Sequence, residues 1–282
     1  MKVTFSLFVG YNGPYGLGAS MLEPHVNQHI EYYADKNLPS FPCEDIHPWF
    51  FNNRDLINSP VSIRGYASAV SGVDDGVGEI MKTLDELGYA EYTEVIFTAD
   101  QGLYGGHHGM WGMGDHSRPT YPHFRRSNAH SINFSPSESH PYGTDLRPVD
   151  CNCDFFPSML EYLNLQQHSP QKPHSPGTSY ADALTGGKVQ LNEVVFHEYE
   201  CVQVIRTENW KLTRRHPDGP DELYDMKNDP GERENLLAEP DFIEIPNGLQ
   251  DQLEAFFDEY ADPKYNLWKE GSSKAERLIP PG

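Results

Sequence analysis

A glycine-rich segment at residues 94–118 constrains the fold of this chain more than any other stretch. It opens with residues 95–98, an apolar and β-branched run whose length predicts a buried strand. The run leads into Asp100-Gln101-Gly102, and open α/β sheets place ligand-binding groups at the carboxyl ends of their strands. A tight turn whose polar residues face water is the simpler interpretation. Four more glycines and two adjacent histidines follow Gly102 within ten residues. Glycines allow a ligand to approach the backbone and histidines offer it nitrogen, so this composition favours a binding loop instead.

Two motifs in this segment resemble those of the sulfatases of the alkaline-phosphatase superfamily. In that family a strand ends in Asp-(Asn/His/Gln)-Gly, and a His-Gly-x-Trp-Gly-(Lys/His)-Gly segment follows. Here the first motif begins at Asp100, and the second runs from His108 to Gly114 with Met113 at the Lys/His position. The resemblance is to the carboxyl-terminal half of a formylglycine-dependent sulfatase. It covers most of residues 1–260.

The resemblance implies a metal site at the first motif. In sulfatases the first two residues of Asp-x-Gly ligate Ca²⁺ or Mg²⁺, which carries over to Asp100 and Gln101. A carboxylate and an amide carbonyl both offer the oxygen donors that these cations prefer. Ca²⁺ takes six to eight oxygens, so two donors alone predict weak binding or none.

The resemblance also implies residues that contact the substrate. In the family the His of a Pro-His pair and a Lys contact the sulfate, and here Tyr15 and Met113 take their places. Tyr15 as a packing residue is an equal alternative. His116 and Arg118 open a basic cluster that extends to residue 130, which is either an anion-binding group or a solvated loop. The predicted substrate-binding residues are His107, His108, Tyr15, Met113, His116 and Arg118.

The chain lacks the nucleophile that this chemistry requires. Sulfatases use a formylglycine made from the first residue of Cys/Ser-x-Pro-x-Arg, and no cysteine or serine of this chain begins that motif. The family's early Asp-Asp metal pair has no counterpart either. We therefore predict no catalytic residue here, and no useful hydrolysis of sulfate esters by this chain alone.

The predicted fold is α/β, a partial doubly wound and mostly parallel sheet with a small antiparallel β subdomain at the carboxyl end. Residues 3–9 and 95–98 are its predicted parallel strands, and periodic apolar residues predict a helix over 65–88. Residues 1–9 could also be read as a short signal peptide, but the turn residues that follow favour a strand. Short runs divided by turn signals predict an antiparallel meander over 192–225.

The same patterns predict how the chain is divided. Asp154 is a predicted helix N-cap, with the helix continuing to Leu163. The motif of residues 222–236 is typical of the sulfatase carboxyl-terminal subdomain, where it is structural. The predicted divisions are a catalytic α/β part at 1–165, a linker at 166–191, an α+β subdomain at 192–262 and a tail at 263–282.

Charge limits the partners. The chain has 282 residues and a formal net charge of −21, which disfavours binding to nucleic acid and to anionic membrane surfaces. Its apolar runs are too short for a transmembrane helix. The predicted partners are a sulfated small molecule or sulfated carbohydrate and an amino-terminal half of the same fold. No compartment is predicted.

Three functions fit these observations. The first is a truncated sulfatase, a sulfuric ester hydrolase without its nucleophile. The second is a phosphate or phosphonate ester hydrolase of the same superfamily, which shares the Asp-x-Gly loop. The third is a non-catalytic binding protein that keeps the fold.

Overall fold

The computed structural model describes residues 5–11, 14, 27–50, 54–99, 102–112, 133–134, 152–169, 175–184, 194–199 and 201–272. The chain divides into two compact units. The first comprises Met1–Thr93 and Leu103–Arg118, and the second comprises Glu94–Gly102 and Pro119–Gly282. No helix within the described residues has the length and hydropathy needed to cross a membrane.

The first unit is built on one long helix, α1 (Pro60–Glu86). It begins earlier than the predicted 65–88 because Pro60 supplies a first-turn residue that needs no hydrogen-bond acceptor. It ends where Gly88 adopts φ +69°, as the sequence predicts. Its only fully buried residues are Ser62 and Ser68. The apolar stripe of α1 is therefore incompletely covered.

The predicted strand at residues 3–9 is wrong for the part that the structure describes. Residues 5–9 lie outside any strand, and their side chains are exposed. A strand forms only when a neighbour pairs with its backbone groups, and no neighbour pairs with these residues in the described chain. An apolar run predicts that a segment can form a strand, but a second segment must be present to pair with its backbone.

The second predicted parallel strand forms, but it is short and antiparallel. In the second unit, β1 (Ile96–Phe97) pairs with β2 (Asn133–Phe134), and Ile96 lies opposite Phe134. The structure therefore does not show the predicted parallel sheet among the residues it describes. Both sheets in that part of the chain are antiparallel.

The antiparallel meander predicted over 192–225 is confirmed. Four strands pair in sequence order as one sheet. Two-residue connections join the first three strands, and a longer turn that contains Gly219 precedes the fourth. The strands are β3 (Val194–Tyr199), β4 (Val202–Thr207), β5 (Trp210–Arg215) and β6 (Glu222–Asp225).

A carboxyl-terminal helix closes one face of this sheet. In α4 (Ile245–Tyr260), Leu249, Leu253 and Phe257 recur every four residues and so share one helix face. They form a buried cluster with Ile205, Leu212 and Leu223 of the sheet and with Leu236. The Phe256 ring also stacks on the Phe196 ring, with centroids 4.0 Å apart. This packing gives the sheet its own hydrophobic core.

The second unit also contains α2 (Asn152–Tyr162) and the short α3 (Ala181–Leu184). The predicted N-cap role of Asp154 is wrong, because the helix begins two residues earlier. Asp154 is buried, and its carboxylate accepts a hydrogen bond from the Thr178 backbone N–H at 2.6 Å. A Cβ at Gly177 would overlap the Cys153 carbonyl. The Pro-Gly-Thr-Ser segment is thus fixed against α2 by close backbone approach.

Candidate functional site

The glycine-rich loop folds back on itself at residues 104–112. The Tyr104 N–H donates to the Gly112 carbonyl at 3.0 Å, and the Gly106 N–H donates to the Met110 carbonyl at 2.8 Å. Backbone φ is positive at all four glycines of this stretch, where a side chain is disfavoured. These glycines are Gly105, Gly106, Gly109 and Gly112. The shape of the loop therefore requires its glycines.

Within the first unit, the loop packs against residues 38–50. A Cβ at Gly109 would overlap the Asp45 carbonyl oxygen and lie 2.5 Å from the His47 backbone nitrogen. The His47 N–H donates to the Gly109 carbonyl at 3.0 Å. Trp111 is buried, and its ring stacks on Phe41 with centroids 5.9 Å apart. Only glycine allows the two backbone segments to approach this closely.

Glu44 connects this neighbouring segment to both histidines. Its Oε2 accepts a hydrogen bond from the His108 backbone N–H at 3.0 Å, and its Oε1 lies 3.9 Å from His107 Nδ1. His107 Nε2 lies 3.2 Å from the Ser40 carbonyl oxygen, and a carbonyl only accepts, so Nε2 carries the proton in that contact. The Asn58 amide in turn donates to the Glu44 backbone carbonyl at 2.8 Å. Glu44 therefore holds the loop through the His108 backbone, and the Ser40 carbonyl orients the His107 ring.

The two adjacent histidines differ in their surroundings. His107 makes its side-chain contacts with the segment that supports the loop. His108 has φ +53°, a left-handed conformation that is uncommon outside glycine. The hydrogen bond from its backbone N–H to the Glu44 carboxylate helps to hold that conformation. Such backbone conformations occur often at functional sites, because the surrounding structure must maintain them.

Sequence reasoning missed Glu44. It lies 64 residues before His108 in an irregular, proline-rich stretch. The left-handed φ at Cys43 directly before it belongs to the structure and is not visible in the sequence. No motif or spacing in the sequence relates the carboxylate to the loop.

The other predicted site residues lie outside the described residues. The predicted metal ligands Asp100 and Gln101 belong to this group, as does the basic cluster. Within the described ranges, no three His, Cys, Asp or Glu side chains cluster in a way that could hold a metal ion. The remaining predicted substrate-binding residues in this group are Tyr15, Met113, His116 and Arg118.

The motif at residues 222–236 forms a buried charge network in the second unit. Lys211 Nζ lies 2.6 Å from Glu232 Oε2, and both side chains are almost completely buried. Arg215 pairs with Glu222 at 2.8 Å on the same sheet. Burial holds the pKa of the Lys211 ammonium below its ordinary value, against the opposing effect of Glu232. Burial likewise raises the pKa of the Tyr224 phenol, and the nearby carboxylates add to that shift.

The motif at residues 222–236 has a structural role in the second unit. Glu232 has φ +56°, and its side chain reaches back to β5 from the loop that follows β6. The Asn235 side-chain carbonyl accepts a hydrogen bond from the Leu223 backbone N–H at 2.9 Å. The motif residues therefore fasten the loop to the sheet.

Comparisons with known proteins are consistent with this architecture. No family profile matches the chain. It is 25% identical over 209 residues to N-acetylglucosamine-6-O-sulfatase of Bacteroides thetaiotaomicron, which covers 71% of this chain and 36% of that protein. The chain thus spans about a third of the length of this curated relative.

Solved structures share the fold. One, determined in complex with its substrate D-glucosamine-2-N,6-O-disulfate, matches with a TM-score of 0.60 at 22% identity over 71% of this chain and 41% of its own. The phosphonate monoester hydrolase of Agrobacterium radiobacter matches with a TM-score of 0.60 at 22% identity over 74% of this chain and 44% of its own. The predicted resemblance to part of a sulfatase is confirmed. Over 71% of its length the chain is similar to about a third of this curated sulfatase, and it shares the fold of the corresponding part of the solved neighbours.

Proposed function

We propose that this chain is the carboxyl-terminal part of a hydrolase of sulfate esters. The observation that carries the proposal is its similarity to N-acetylglucosamine-6-O-sulfatase over 71% of its length. That relative and the structural neighbour bound to D-glucosamine-2-N,6-O-disulfate both act on sulfated sugars by name. A sulfated carbohydrate is therefore the substrate class that we propose.

The glycine-rich loop has a positioning role in this proposal. The Glu44 carboxylate holds the His108 backbone, and backbone hydrogen bonds within the loop add to this, so the chain's own contacts define the loop conformation. A site that is held in advance does not lose ordering entropy when its ligand binds. We propose His107, His108, Tyr15, Met113, His116 and Arg118 as the residues near the sulfated substrate. Tyr15 and Met113 can offer it less charge than the family's His and Lys.

A cation site at Asp100 and Gln101 is part of the proposal. Bound there, Ca²⁺ or Mg²⁺ would withdraw charge from a sulfate oxygen. These two oxygen donors fall well short of the six to eight that Ca²⁺ takes. The chain by itself therefore holds the ion weakly, and further donors must come from another polypeptide. Titration calorimetry with CaCl₂ tests this, and tight binding that survives Asp100→Ala would contradict the assignment.

We propose that the complete domain has the parallel sheet predicted from residues 3–9 and 95–98, together with the nucleophile. The chain has no Cys/Ser-x-Pro-x-Arg sequence, so the nucleophile would come from the polypeptide that forms the rest of the domain. That polypeptide would also supply the strands that pair with residues 3–9 and 95–98. Removing a covalent nucleophile typically costs several orders of magnitude in rate. The isolated chain should therefore release no nitrophenol from 4-nitrophenyl sulfate above the buffer control.

Hydrolysis of phosphonate monoesters is a second candidate. It is favoured by the phosphonate monoester hydrolase of Agrobacterium radiobacter, whose TM-score of 0.60 equals that of the sulfated-sugar enzyme. Both substrates present anionic tetrahedral groups, so one loop could serve either. The rates on the two ester classes distinguish them.

The deciding experiment uses the genomic sequence upstream of Met1. The chain is produced alone, and together with the polypeptide that this upstream sequence encodes. Both preparations are assayed on 4-nitrophenyl sulfate and 4-nitrophenyl phenylphosphonate, with and without Ca²⁺. Sulfate-ester turnover by the combined preparation alone is the expected result. Turnover by the isolated chain that disappears in Asp100→Ala would refute the prediction that this chain alone is inactive. Faster phosphonate turnover would favour the second candidate.

A further inference from the structure

Residues 5–11 form an uncharged apolar strip on the first unit. Their sequence is Phe-Ser-Leu-Phe-Val-Gly-Tyr, in a chain with 63 charged residues, 21 basic and 42 acidic. Phe8 is 94% exposed, Leu7 is 73% exposed and Phe5 is 56% exposed. Soluble chains rarely leave contiguous apolar segments uncovered, and they usually place charges on free strand edges. This strip has no such protection.

The backbone of the strip is also available for pairing. No hydrogen bond links residues 5–11 to any other residue of the described chain. Each non-proline residue carries one backbone donor and one acceptor, and these groups pair when a strand is added beside them. Apolar residues alternate to both sides, since Phe5, Leu7 and Val9 fall on one face and Phe8 on the other. Strands buried on both faces, as in parallel sheets, have this composition.

The strip lies against α1 at Gly76 and against Tyr89, which follows the helix, and α1 itself also lacks full cover. The Phe5 ring meets the Tyr89 ring edge-on with centroids 6.2 Å apart, and the Tyr11 hydroxyl lies 2.6 Å from where a Cβ of Gly76 would be. The helix fully buries none of its apolar residues. Half-buried positions that continue its apolar stripe are Val73, Val77, Ile80, Met81 and Leu84. The strip therefore adds exposed apolar surface to a unit whose longest helix is itself only partly covered.

Resting on the proposed function, we propose that residues 5–9 dock a β-strand of the polypeptide that supplies the rest of the sulfatase-type domain. The solved neighbours have the same fold, yet this chain covers only 41% and 44% of their lengths. More than half of each neighbour therefore has no counterpart here. A strand added beside residues 5–9 pairs their backbone and covers Leu7 and Phe8. A second copy is the less suitable occupant, because two chains of net charge −21 repel each other.

The test uses the polypeptide encoded directly upstream of Met1 in the same genome, produced as a separate chain. Binding is measured by calorimetry, and backbone protection is measured by hydrogen exchange with mass spectrometry. We expect a one-to-one complex in which the peptide covering residues 5–11, unprotected in the free chain, becomes protected. Leu7→Asp should weaken binding by about 100-fold or more, because it places an unpaired charge in a covered apolar surface.

Ile243→Asp is the matched control. Ile243 is 65% exposed and belongs to the second unit, so the same change should leave the affinity unaltered. Leu7 is itself exposed in the free chain, so its substitution should not disturb folding. Equal circular dichroism spectra and melting temperatures of the two variants verify that point.

Four results would overturn the docking proposal. They are an upstream sequence that encodes no sulfatase-like polypeptide, the absence of a complex, a complex without protection at residues 5–11, and protection produced by self-association of the isolated chain. The docking result is separable from the proposed function because binding and exchange do not depend on turnover. A protected complex that cleaves no sulfate ester would overturn the function alone, and an active complex without protection would overturn the docking alone.

Discussion

Replacing Glu232 by glutamine tests whether the buried charge network stabilises the carboxyl-terminal sheet. The Glu232 carboxylate lies 2.6 Å from the Lys211 ammonium, and the two side chains are only 1% and 2% exposed. Glutamine keeps the size of the side chain but removes its charge. The Lys211 ammonium would then remain buried without the carboxylate it contacts most closely.

The expected loss of stability is large for one substitution. Breaking a buried ion pair by removing one partner typically costs roughly 3–5 kcal/mol. The amide oxygen of glutamine can still accept one hydrogen bond from Lys211, so we expect about 3 kcal/mol, the lower end of that range. Domains of this kind have total stabilities of about 5–15 kcal/mol. The variant should therefore lose a large and measurable share of its free energy of unfolding.

The loss should depend on pH in a defined direction. Burial lowers the pKa of Lys211 in the folded state, and Glu232 opposes that shift. Without Glu232 the folded-state pKa of Lys211 falls further below its unfolded value. Between those two values the unfolded chain binds more protons than the folded one, so stability rises with pH. The difference between Glu232→Gln and the wild type should therefore shrink as the pH approaches the ordinary lysine pKa of about 10.4.

Urea unfolding followed by the circular dichroism of the sheet measures these effects. Glu234→Gln is the matched control, because Glu234 is exposed two residues away and the same chemical change there should cost about 0.5 kcal/mol or less. The double variant Lys211→Met/Glu232→Leu, which removes both charges, should be more stable than Glu232→Gln. Two results would contradict this prediction. One is a loss of unfolding free energy in Glu232→Gln no larger than that in Glu234→Gln, and the other is a loss that grows between pH 7 and pH 10.

Three further predictions concern other contacts. Gly109→Ala should destabilise the first unit by about 1–3 kcal/mol or more, because it combines a positive φ with a backbone overlap. Gly78 lies on α1 with open space around it, so the control Gly78→Ala should stabilise the unit by about 0.5–1 kcal/mol in thermal unfolding. Leu253→Ala should lower the unfolding free energy by about 2–5 kcal/mol, since Leu253 is buried between α4 and the sheet; a loss below 1 kcal/mol would contradict that packing. The hydrogen bond from the His29 side chain holds the pKa of Asp75 below its usual range, so His29→Ala should raise that pKa in an NMR titration. On acidification, the variant should therefore lose the stability that Asp75 contributes at a higher pH than the wild type does.

The carboxyl-terminal sheet could be predicted because its determinants are local. Its strands are adjacent in sequence, and turn-type residues such as Asn209 and Gly219 fall between them. Each strand pairs with the next one along the chain. The apolar spacing of Leu249, Leu253 and Phe257 likewise predicts the helix face that packs on the sheet.

The candidate site could be predicted only in part. The glycines identified the loop, since positive φ and close backbone approach require them at positions such as Gly109. Glu44 could not be identified, because a hydrogen bond between residues 64 positions apart depends on the tertiary fold. The pairing of residues 3–9 could not be predicted either, since a strand is a property of two segments and the sequence of one does not specify the other.

The two units differ in how much of their apolar surface they cover themselves. In the second unit, Ile205, Leu212, Leu223 and Leu253 are at most 1% exposed and pack in one cluster, so the sheet and α4 meet the basic requirement for folding independently. In the first unit, α1 is the longest helix of the described chain, yet only two serines on it are buried. A helix of that length depends on tertiary packing of its apolar stripe for most of its stability. The same unit also carries the exposed, uncharged strip at residues 5–11. The glycine-rich loop belongs to this same unit, and the hydrogen bond that the His108 N–H donates to the Glu44 carboxylate anchors the loop within that unit.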